Sequence, residues 1–414
     1  MMTRRIAEIR SRGQGRRVLG GQPLVFHCNH YNYWLQKTVR LDPSLGMDEV
    51  IRDAAEGVAY AALSESCDEL GLTSVADRLG AAADLFAHLG FGLVDFGATT
   101  EAGGVVRTPV SHYGQLLAAA AGAPFAQDQN LFDQGFAAAA LAVAHGKLPG
   151  SYAVTGNVCQ SRGAEVGEIT LVPASRTVTP EVGLGPLARD PAPPRPTDTS
   201  VDEDAVLSAL AGLDLTGNEE GLVPRFGVAL THHFANFYNR ISFEFVRRMA
   251  GSGLLAEAQE LLVDAGYHCA FNTFGGIMTS AEWDAVVRPQ CATGDDWVHG
   301  MVAVVNALGW GVWRVAELDG GQLTISITDD YESTGYAAMF GRAEGNVAYL
   351  ASGGVAGIQN LVRIGDIAAR PSLDEAFYAN CFEAEGSWRT AEARCAAQGH
   401  PRTELSARPL GRAS

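Results

Sequence analysis

The stretch LGFGL at residues 89–93 returns as LGWGV at residues 308–312, and this internal similarity decides the fold prediction. Each stretch is followed by alternating apolar residues and then by a Gly-Gly pair, at 103–104 and at 320–321. A second alternating run follows, such as QLTISI at 322–327. Alternation with a period of two around a glycine turn predicts a β-hairpin. The chain therefore contains two copies of a hairpin-forming unit.

An apolar helix is predicted after each hairpin, over residues 130–146 and 349–365. The two segments are rich in alanine and aliphatic residues, and each is closed by a glycine that can cap a helix. Within them, Gly135 is matched to Gly354. The order of hairpin followed by helix thus occurs twice.

A polar and aromatic segment opens each copy. The sequence VFHCNHYN at residues 25–32 is matched to VALTHHFA at 228–235, which places His30 on His233 and Tyr31 on Phe234. If the first segment is a strand, alternation puts Cys28 and His30 on one face, whereas in a helix His27 and His30 would share a face. Both alternatives remain open from the sequence.

These repeats predict an α+β fold made of two tandem copies of one domain. The predicted domains cover residues 20–175 and 223–408, and a proline-rich linker without periodicity covers residues 176–222. Each domain is expected to have an antiparallel sheet flanked by helices. Two like domains in one chain are expected to pair about a pseudo-twofold axis, with a pocket between them.

The composition limits the classes of partner. The 414 residues include 30 Lys and Arg against 47 Asp and Glu, a net charge of −17, and this charge repels nucleic acids and anionic membranes. No run approaches the roughly 18 apolar residues of a membrane span. Seven scattered cysteines indicate reduced thiols. We therefore expect a cytoplasmic protein with no nucleic-acid or membrane partner, either a monomer or a homodimer.

The end of the second copy carries a motif of Glu392, two residues, Cys395, three residues and Gly399. This pattern resembles the V4R (4-vinyl reductase) small-molecule-binding domain over about 30 residues. The resemblance implies an antiparallel sheet flanked by helices, a buried apolar pocket for aromatic or acyl ligands, and a zinc site carried over onto Glu392 and Cys395. The family's final cysteine falls at Thr403, so Cys381 or His400 is required as a substitute ligand.

The first copy is predicted to have lost this metal site. Its only counterpart is CQSRG at residues 159–163, which aligns either with residues 395–399 or, with one gap, with residues 381–386. Under the first alignment the glutamate of the motif is replaced by Gly156. The first copy is therefore expected to be a degenerate V4R-like repeat.

Histidines and aromatic residues supply the other candidate site residues. We assign His30 and His233 as candidate catalytic residues, since imidazole both ligates metals and transfers protons. The alternative is that they are core histidines satisfied by hydrogen bonds. The candidate substrate contacts are His27, Tyr31, His232 and Trp310, and for the tryptophan a purely structural role in the core is the competing interpretation.

Two functional hypotheses follow for a small organic molecule bound in an apolar pocket. The first, slightly favoured because no output domain is fused to the pair, is a metal-dependent enzyme with iron or zinc held by Cys381, Glu392, Cys395 and His400. The alternative is a non-catalytic binding or sensory protein. Dinucleotide loops, phosphate loops and nucleophile elbows are not found in the sequence.

Overall fold

The computed structural model describes residues 5–11, 16–181, 183 and 192–411. It is a mixed structure of helices and antiparallel sheets, which confirms the predicted α+β class. Part of the predicted linker, residues 182 and 184–191, lies outside the described residues. Among the described residues, no helix combines the length and the apolar character needed to cross a bilayer.

The first half of the chain, up to residue 181, contains seven strands and five helices among its described residues. Short 3-10 and π turns connect several of them. In chain order they are β1 (Arg10–Ser11), β2 (Arg17–Leu19), β3 (Gln22–Cys28), α1 (Asn29–Val39), α2 (Met47–Glu69), α3 (Val75–His88), β4 (Gly92–Thr100), β5 (Gly103–Ser111), α4 (Leu117–Ala121), α5 (Leu131–Ala144), β6 (Tyr152–Val158) and β7 (Gly167–Pro173).

The second half, residues 192–411, continues the numbering. Its elements are α6 (Glu203–Ala211), β8 (Val223–Arg225), β9 (Val228–Phe234), α7 (Ala235–Gly251), α8 (Leu255–Cys269), α9 (Gly275–Met278), α10 (Ala281–Val286), α11 (Gly294–Leu308), β10 (Val312–Leu318), β11 (Leu323–Thr328), α12 (Tyr331–Phe340), α13 (Tyr349–Gln359), α14 (Glu375–Tyr378), β12 (Trp388–Arg394) and β13 (Thr403–Pro409).

Each half contains a four-stranded antiparallel sheet. The strand orders are β4-β5-β7-β6 and β10-β11-β13-β12. The predicted hairpins are confirmed, because β4 pairs with β5 and β10 pairs with β11. In each sheet the edge strand at the end of this order carries a register shift. The shift lies between Val154 and Gly156 in β6 and between Thr390 and Glu392 in β12. The two predicted apolar helices are confirmed as α5 and α13.

A third sheet, ordered β1-β2-β3-β9-β8, joins the two halves. Its central pair is antiparallel β3 and β9, with Leu24 opposite Phe234 and Cys28 opposite Leu230. At the midpoint Phe26 lies opposite His232, and their rings stack with centroids 4.0 Å apart. Backbone hydrogen bonds across this pair therefore hold the halves together.

The structure corrects the alignment of the opening segments. Strand β3 ends at Cys28 and strand β9 ends at Phe234, and a helix follows each strand directly. Matching the strand ends places His27 on His233. The predicted match of His30 with His233 is wrong by three residues, because His30 already lies in the first turn of α1.

A close approach between helices corrects a second match. A Cβ atom on Gly135 would stand 2.3 Å from the backbone oxygen of Arg52, and one on Gly353 would stand 2.6 Å from backbone atoms of Gly266. At Gly354 the nearest atoms are 3.5 Å away. The glycine of α13 that packs as Gly135 does in α5 is therefore Gly353, and the predicted match with Gly354 is wrong.

Candidate functional site

Three of the predicted substrate contacts meet in a buried cluster beside β3. His27 Nε2 lies 3.2 Å from the hydroxyl of Tyr331. The imidazole ring packs against Tyr31, Trp310 and Tyr238, with centroid distances of 4.4, 4.9 and 4.6 Å. The structure thus brings His27, Tyr31 and Trp310 together.

His233 lies in the adjoining part of this cluster. Its Nε2 atom is 2.9 Å from the hydroxyl of Tyr113. The imidazole also packs against the rings of Phe132 and Phe237 at 4.5 and 4.7 Å, and it meets Phe91 edge-on at 4.8 Å. This histidine is fully buried among aromatic rings.

Sequence reasoning missed Tyr113, although a signal for it exists. Ser111 accepts a hydrogen bond from the backbone N–H of Gly114 just after β5, and Asp330 accepts one from Ser333 just after β11. The same capping turn therefore follows both hairpins. Aligning residues 111–114 with 330–333 would have directed attention to the aromatic residues within these turns.

Burial determines the protonation states in the cluster. It lowers the pKa values of His27 and His233 well below the usual range and raises those of Tyr113 and Tyr331 well above theirs. At neutral pH each neutral imidazole can therefore accept a hydrogen bond from a tyrosine O–H. These contacts fit the alternative of a satisfied core histidine for His233, whose Nδ1 also lies 3.4 Å from the backbone oxygen of Phe234. Among the described residues, Nδ1 of His27 is buried without a hydrogen-bond partner.

The other two predicted histidines lie apart from this arrangement. His30 is half-buried in the first turn of α1, and no hydrogen bond or ring contact among the described residues joins it to His233; a catalytic role for the two histidines stays a prediction. His232 stacks on Phe26, and the guanidinium of Arg17 lies 5.5 Å from the center of that same phenylalanine ring. Strand alternation explains the separation, because neighbouring residues of β9 point to opposite faces.

The predicted metal ligands do not converge. Among the described residues, no group of three or more His, Cys, Asp or Glu is placed to hold a metal ion. The carboxylate of Glu392 is largely exposed and pairs with Arg408 at 3.4 Å, while the Cys395 thiol is buried. The four predicted ligands that the structure leaves without a common site are Cys381, Glu392, Cys395 and His400. The residues present therefore do not fit the predicted iron or zinc.

The structure does resolve the open alignment of the terminal motif. In each half a buried cysteine, Cys159 or Cys395, precedes a short 3-10 turn. Both turns end on a glycine with positive φ, 95° at Gly163 and 91° at Gly399. This geometry supports the first alignment, in which Gly156 occupies the position of the glutamate.

A groove of about 1000 Å³ lies in the second half, between α8, the start of α13 and β12. Tyr267 and Tyr349, both largely buried, are among its lining residues. The guanidinium of Arg389 lies 4.7 Å from the center of the Tyr267 ring and donates a hydrogen bond to the backbone oxygen of Trp388 at 2.9 Å. The groove thus combines aromatic surface with an anchored cation.

The groove wall is acidic. It carries one arginine and four carboxylates, which belong to Glu257, Glu260, Asp264 and Glu392. Burial raises the pKa of Asp264. Burial also raises the pKa of Tyr349 to about 12, so its hydroxyl stays protonated at neutral pH. We call this cavity the acidic groove; its chemistry suits an organic molecule with an aromatic part and hydrogen-bond donors.

No known family matches the chain, and no curated protein matches it. The chain is similar to the crystal structure of the phenol-responsive sensory domain of the transcription activator PoxR with phenol, at 14% identity and a TM-score of 0.32. The match covers 50% of this chain and 90% of that chain.

A stacked histidine makes stability depend on pH. His268 in α8 lies between Trp34 of α1 and Tyr378 of α14, with parallel rings at 3.6 and 4.4 Å. Burial, with a smaller contribution from Lys37, lowers its pKa to about 4, below the value near 6.5 of an unfolded histidine. The unfolded chain therefore binds the proton first, and this site loses stability as the pH falls from 6.5 to 4.

We expect His268→Phe, which keeps a ring in the stack, to remove this loss. Between pH 6 and 4.5 the free energy of unfolding of the variant should fall by about 2 kcal/mol less than that of the wild type. Urea titrations at several pH values measure the difference. If the free energy of unfolding fell equally with pH in the two proteins, His268 would titrate in the folded chain as it does in the unfolded one.

Proposed function

We propose that this chain is a binding protein that holds a small organic molecule in the acidic groove. The observation that carries the proposal is the groove itself, about 1000 Å³ in volume and lined by Tyr267 and Tyr349. Pockets for small organic ligands typically have about 300–1,000 Å³ and combine apolar and aromatic surface with a few polar groups. Three of the four carboxylates, those of Glu257, Glu260 and Asp264, have no arginine or lysine ion-pair partner among the described residues, and they favour a ligand that carries an amine over a neutral or anionic one.

We further propose that the chain is a tandem pair of V4R-like domains, over residues 20–175 and 223–408, related by a pseudo-twofold axis. Two features support this proposal. The four-stranded sheets have the same strand order, and the register of β3 with β9 is symmetrical about the opposed residues Phe26 and His232. Such an axis would pass between these two rings.

The surroundings of the cysteines support a reducing compartment, which we propose is the cytoplasm. All seven cysteines are free, and six of them are buried. A homodimer stays a prediction. The predicted metal-dependent enzyme has no ligand set among the described residues to support it.

Binding in the acidic groove can be tested with tyramine, an aromatic amine, and with phenol, which has the same ring and hydroxyl without the amine. We expect tyramine to raise the melting temperature and phenol to raise it less. Tyr267→Ala should weaken tyramine binding about tenfold, because aromatic contacts contribute on the order of 1 kcal/mol beyond the area they bury. Calorimetric titration measures the affinities.

The matched controls separate the groove from the rest of the second half. Glu260→Gln removes a carboxylate of the groove and should weaken tyramine binding, whereas Glu404→Gln, at an exposed position of β13, should leave it unchanged. If the wild type and the three variants bound tyramine with equal affinity, the acidic groove would be excluded as the tyramine site. Near-stoichiometric iron or zinc in protein purified without chelator would instead favour the enzyme.

A further inference from the structure

A second cavity, of about 470 Å³, lies in the first half between α2, the segment preceding α5, and β6. Three arginines and two aspartates line it. In a chain with a net charge of −17, a cavity with an excess of positive charge stands out. We call it the arginine cavity.

Two of the three arginines already have partners. Arg40 forms a bidentate pair with Asp48, at 2.6 and 3.0 Å, and it also donates to the backbone oxygen of Asp128 at 3.0 Å. Arg162 lies 3.6 Å from a carboxylate oxygen of Asp128. The charges of both aspartates are therefore matched.

Arg52 is different. It is half-buried on α2, lines the arginine cavity, and also lines an adjoining cavity of about 230 Å³. Within the part of the chain that the structure describes, its guanidinium has no hydrogen-bond or ion-pair partner. The neighbouring carboxylate of Asp53 pairs with Arg176 instead, at 2.5 Å. Asp53 still interacts with Arg52 electrostatically, and the carboxylates of Glu49 and Glu56 line the adjoining cavity. A half-buried guanidinium without a hydrogen-bonded counter-ion favours an anionic ligand.

The wall opposite this charge is polar and held in place. Asn130 and Asn157 exchange two hydrogen bonds between their side-chain amides, at 3.1 and 2.9 Å. The side chain of Gln134 is buried and donates to Asn130 at 3.1 Å. Asn157 and Gln134 line the cavity, so they offer fixed amide groups to a polar ligand.

We propose that the arginine cavity binds a small polar organic molecule through a carboxylate that pairs with Arg52. A guanidinium presents two parallel N–H groups that match the two oxygens of a carboxylate. Hydroxyl groups on the same molecule would meet the amides of Asn157 and Gln134. This site is separate from the acidic groove, lies in the other half of the chain, and takes a ligand of opposite charge. It does not depend on the function proposed above.

The probe for this site is malate, a hydroxylated dicarboxylate, with inorganic phosphate and glycerol as comparison probes. We expect malate at up to about 10 mM, which would saturate a millimolar site, to raise the melting temperature of the full chain. Arg52→Gln should weaken malate binding at least tenfold. Arg107→Gln is the matched control, because Arg107 is an exposed arginine of the same half that pairs with Glu168 outside the cavity.

Each outcome decides the proposal. Binding of malate to the wild type and to Arg107→Gln, with loss in Arg52→Gln and no effect of glycerol, supports it. The absence of a malate shift in the wild type, or an equal shift in Arg52→Gln, overturns it. A shift with phosphate as large as that with malate overturns the assignment to an organic carboxylate. The melting temperature of Arg52→Gln without ligand, expected to be within a few degrees of the wild type, shows that the variant is folded.

Discussion

The Gly353→Ala variant is expected to be about 2–3 kcal/mol less stable than the wild type. An added Cβ at Gly353 would stand 2.6 Å from backbone atoms of Gly266 in α8, too close for any atom to remain in place. The added Cβ would contact backbone atoms and not a flexible side chain, so helices α8 and α13 must move apart. Overpacking of this kind costs about 1–3 kcal/mol. Urea denaturation followed by circular dichroism measures the change.

The next residue on the same helix provides the control. Gly354→Ala places its Cβ no closer than 3.5 Å to any neighbour, the side chains of Phe274 and Trp313. Alanine is favoured over glycine within a helix by up to about 1 kcal/mol, so this variant should be as stable as the wild type or slightly more stable. Equal destabilisation by both substitutions would show that α13 does not approach α8 through Gly353.

The hairpins and apolar helices could be predicted because their signals are local. A glycine turn between alternating residues, or an alanine-rich run closed by glycine, specifies its own backbone conformation over 10 to 20 residues. The match of Gly135 with Gly354 failed for the same reason. Two adjacent glycines, Gly353 and Gly354, are equivalent as local signals, and only packing against α8 distinguishes them.

The candidate sites could be predicted only in part, because they depend on which distant segments meet. The acidic groove joins α8 to β12, more than a hundred residues further along the chain. Neither segment alone indicates a cavity. The four predicted metal ligands show the opposite error, since Cys395 and His400 are close in sequence but one is buried and the other exposed. Residues that are close along the chain therefore do not necessarily direct their side chains toward a common metal site.

The positions of the histidines depended partly on local signals, which could be predicted, and partly on the three-dimensional structure, which could not. The alternation in β3 and β9 was available from the sequence, but the residue at which each strand ends was not. The position of that end decides whether His27 or His30 corresponds to His233. In the structure Cys28 is the last residue of β3, and its thiol accepts a hydrogen bond from the backbone N–H of Tyr31 at the start of α1. This cap leaves His27 on the strand and puts His30 on the helix.

Replacing His233 tests this assignment. His233→Ala is expected to destabilise the chain by about 3–4 kcal/mol. It removes a buried ring that packs against Phe132 and Phe237, leaves a cavity, and removes the 2.9 Å hydrogen bond to Tyr113. His233→Phe keeps a ring and loses only the hydrogen bonds to Tyr113 and to the backbone oxygen of Phe234, so a cost of about 1–2 kcal/mol is expected.

His30→Ala is the matched control for His233→Ala. His30 is half-buried on α1, so its removal should cost less than about 1 kcal/mol. Denaturation midpoints of the three variants and the wild type, measured under one condition, give the ranking. If His30→Ala were as destabilising as His233→Ala, the two histidines would occupy equivalent buried positions, and the sequence match of His30 with His233 would have to be restored. We expect a much lower denaturation midpoint for His233→Ala than for His30→Ala. The reason is that β3 and β9 end at Cys28 and Phe234, which leaves His233 on a buried strand and His30 on a helix.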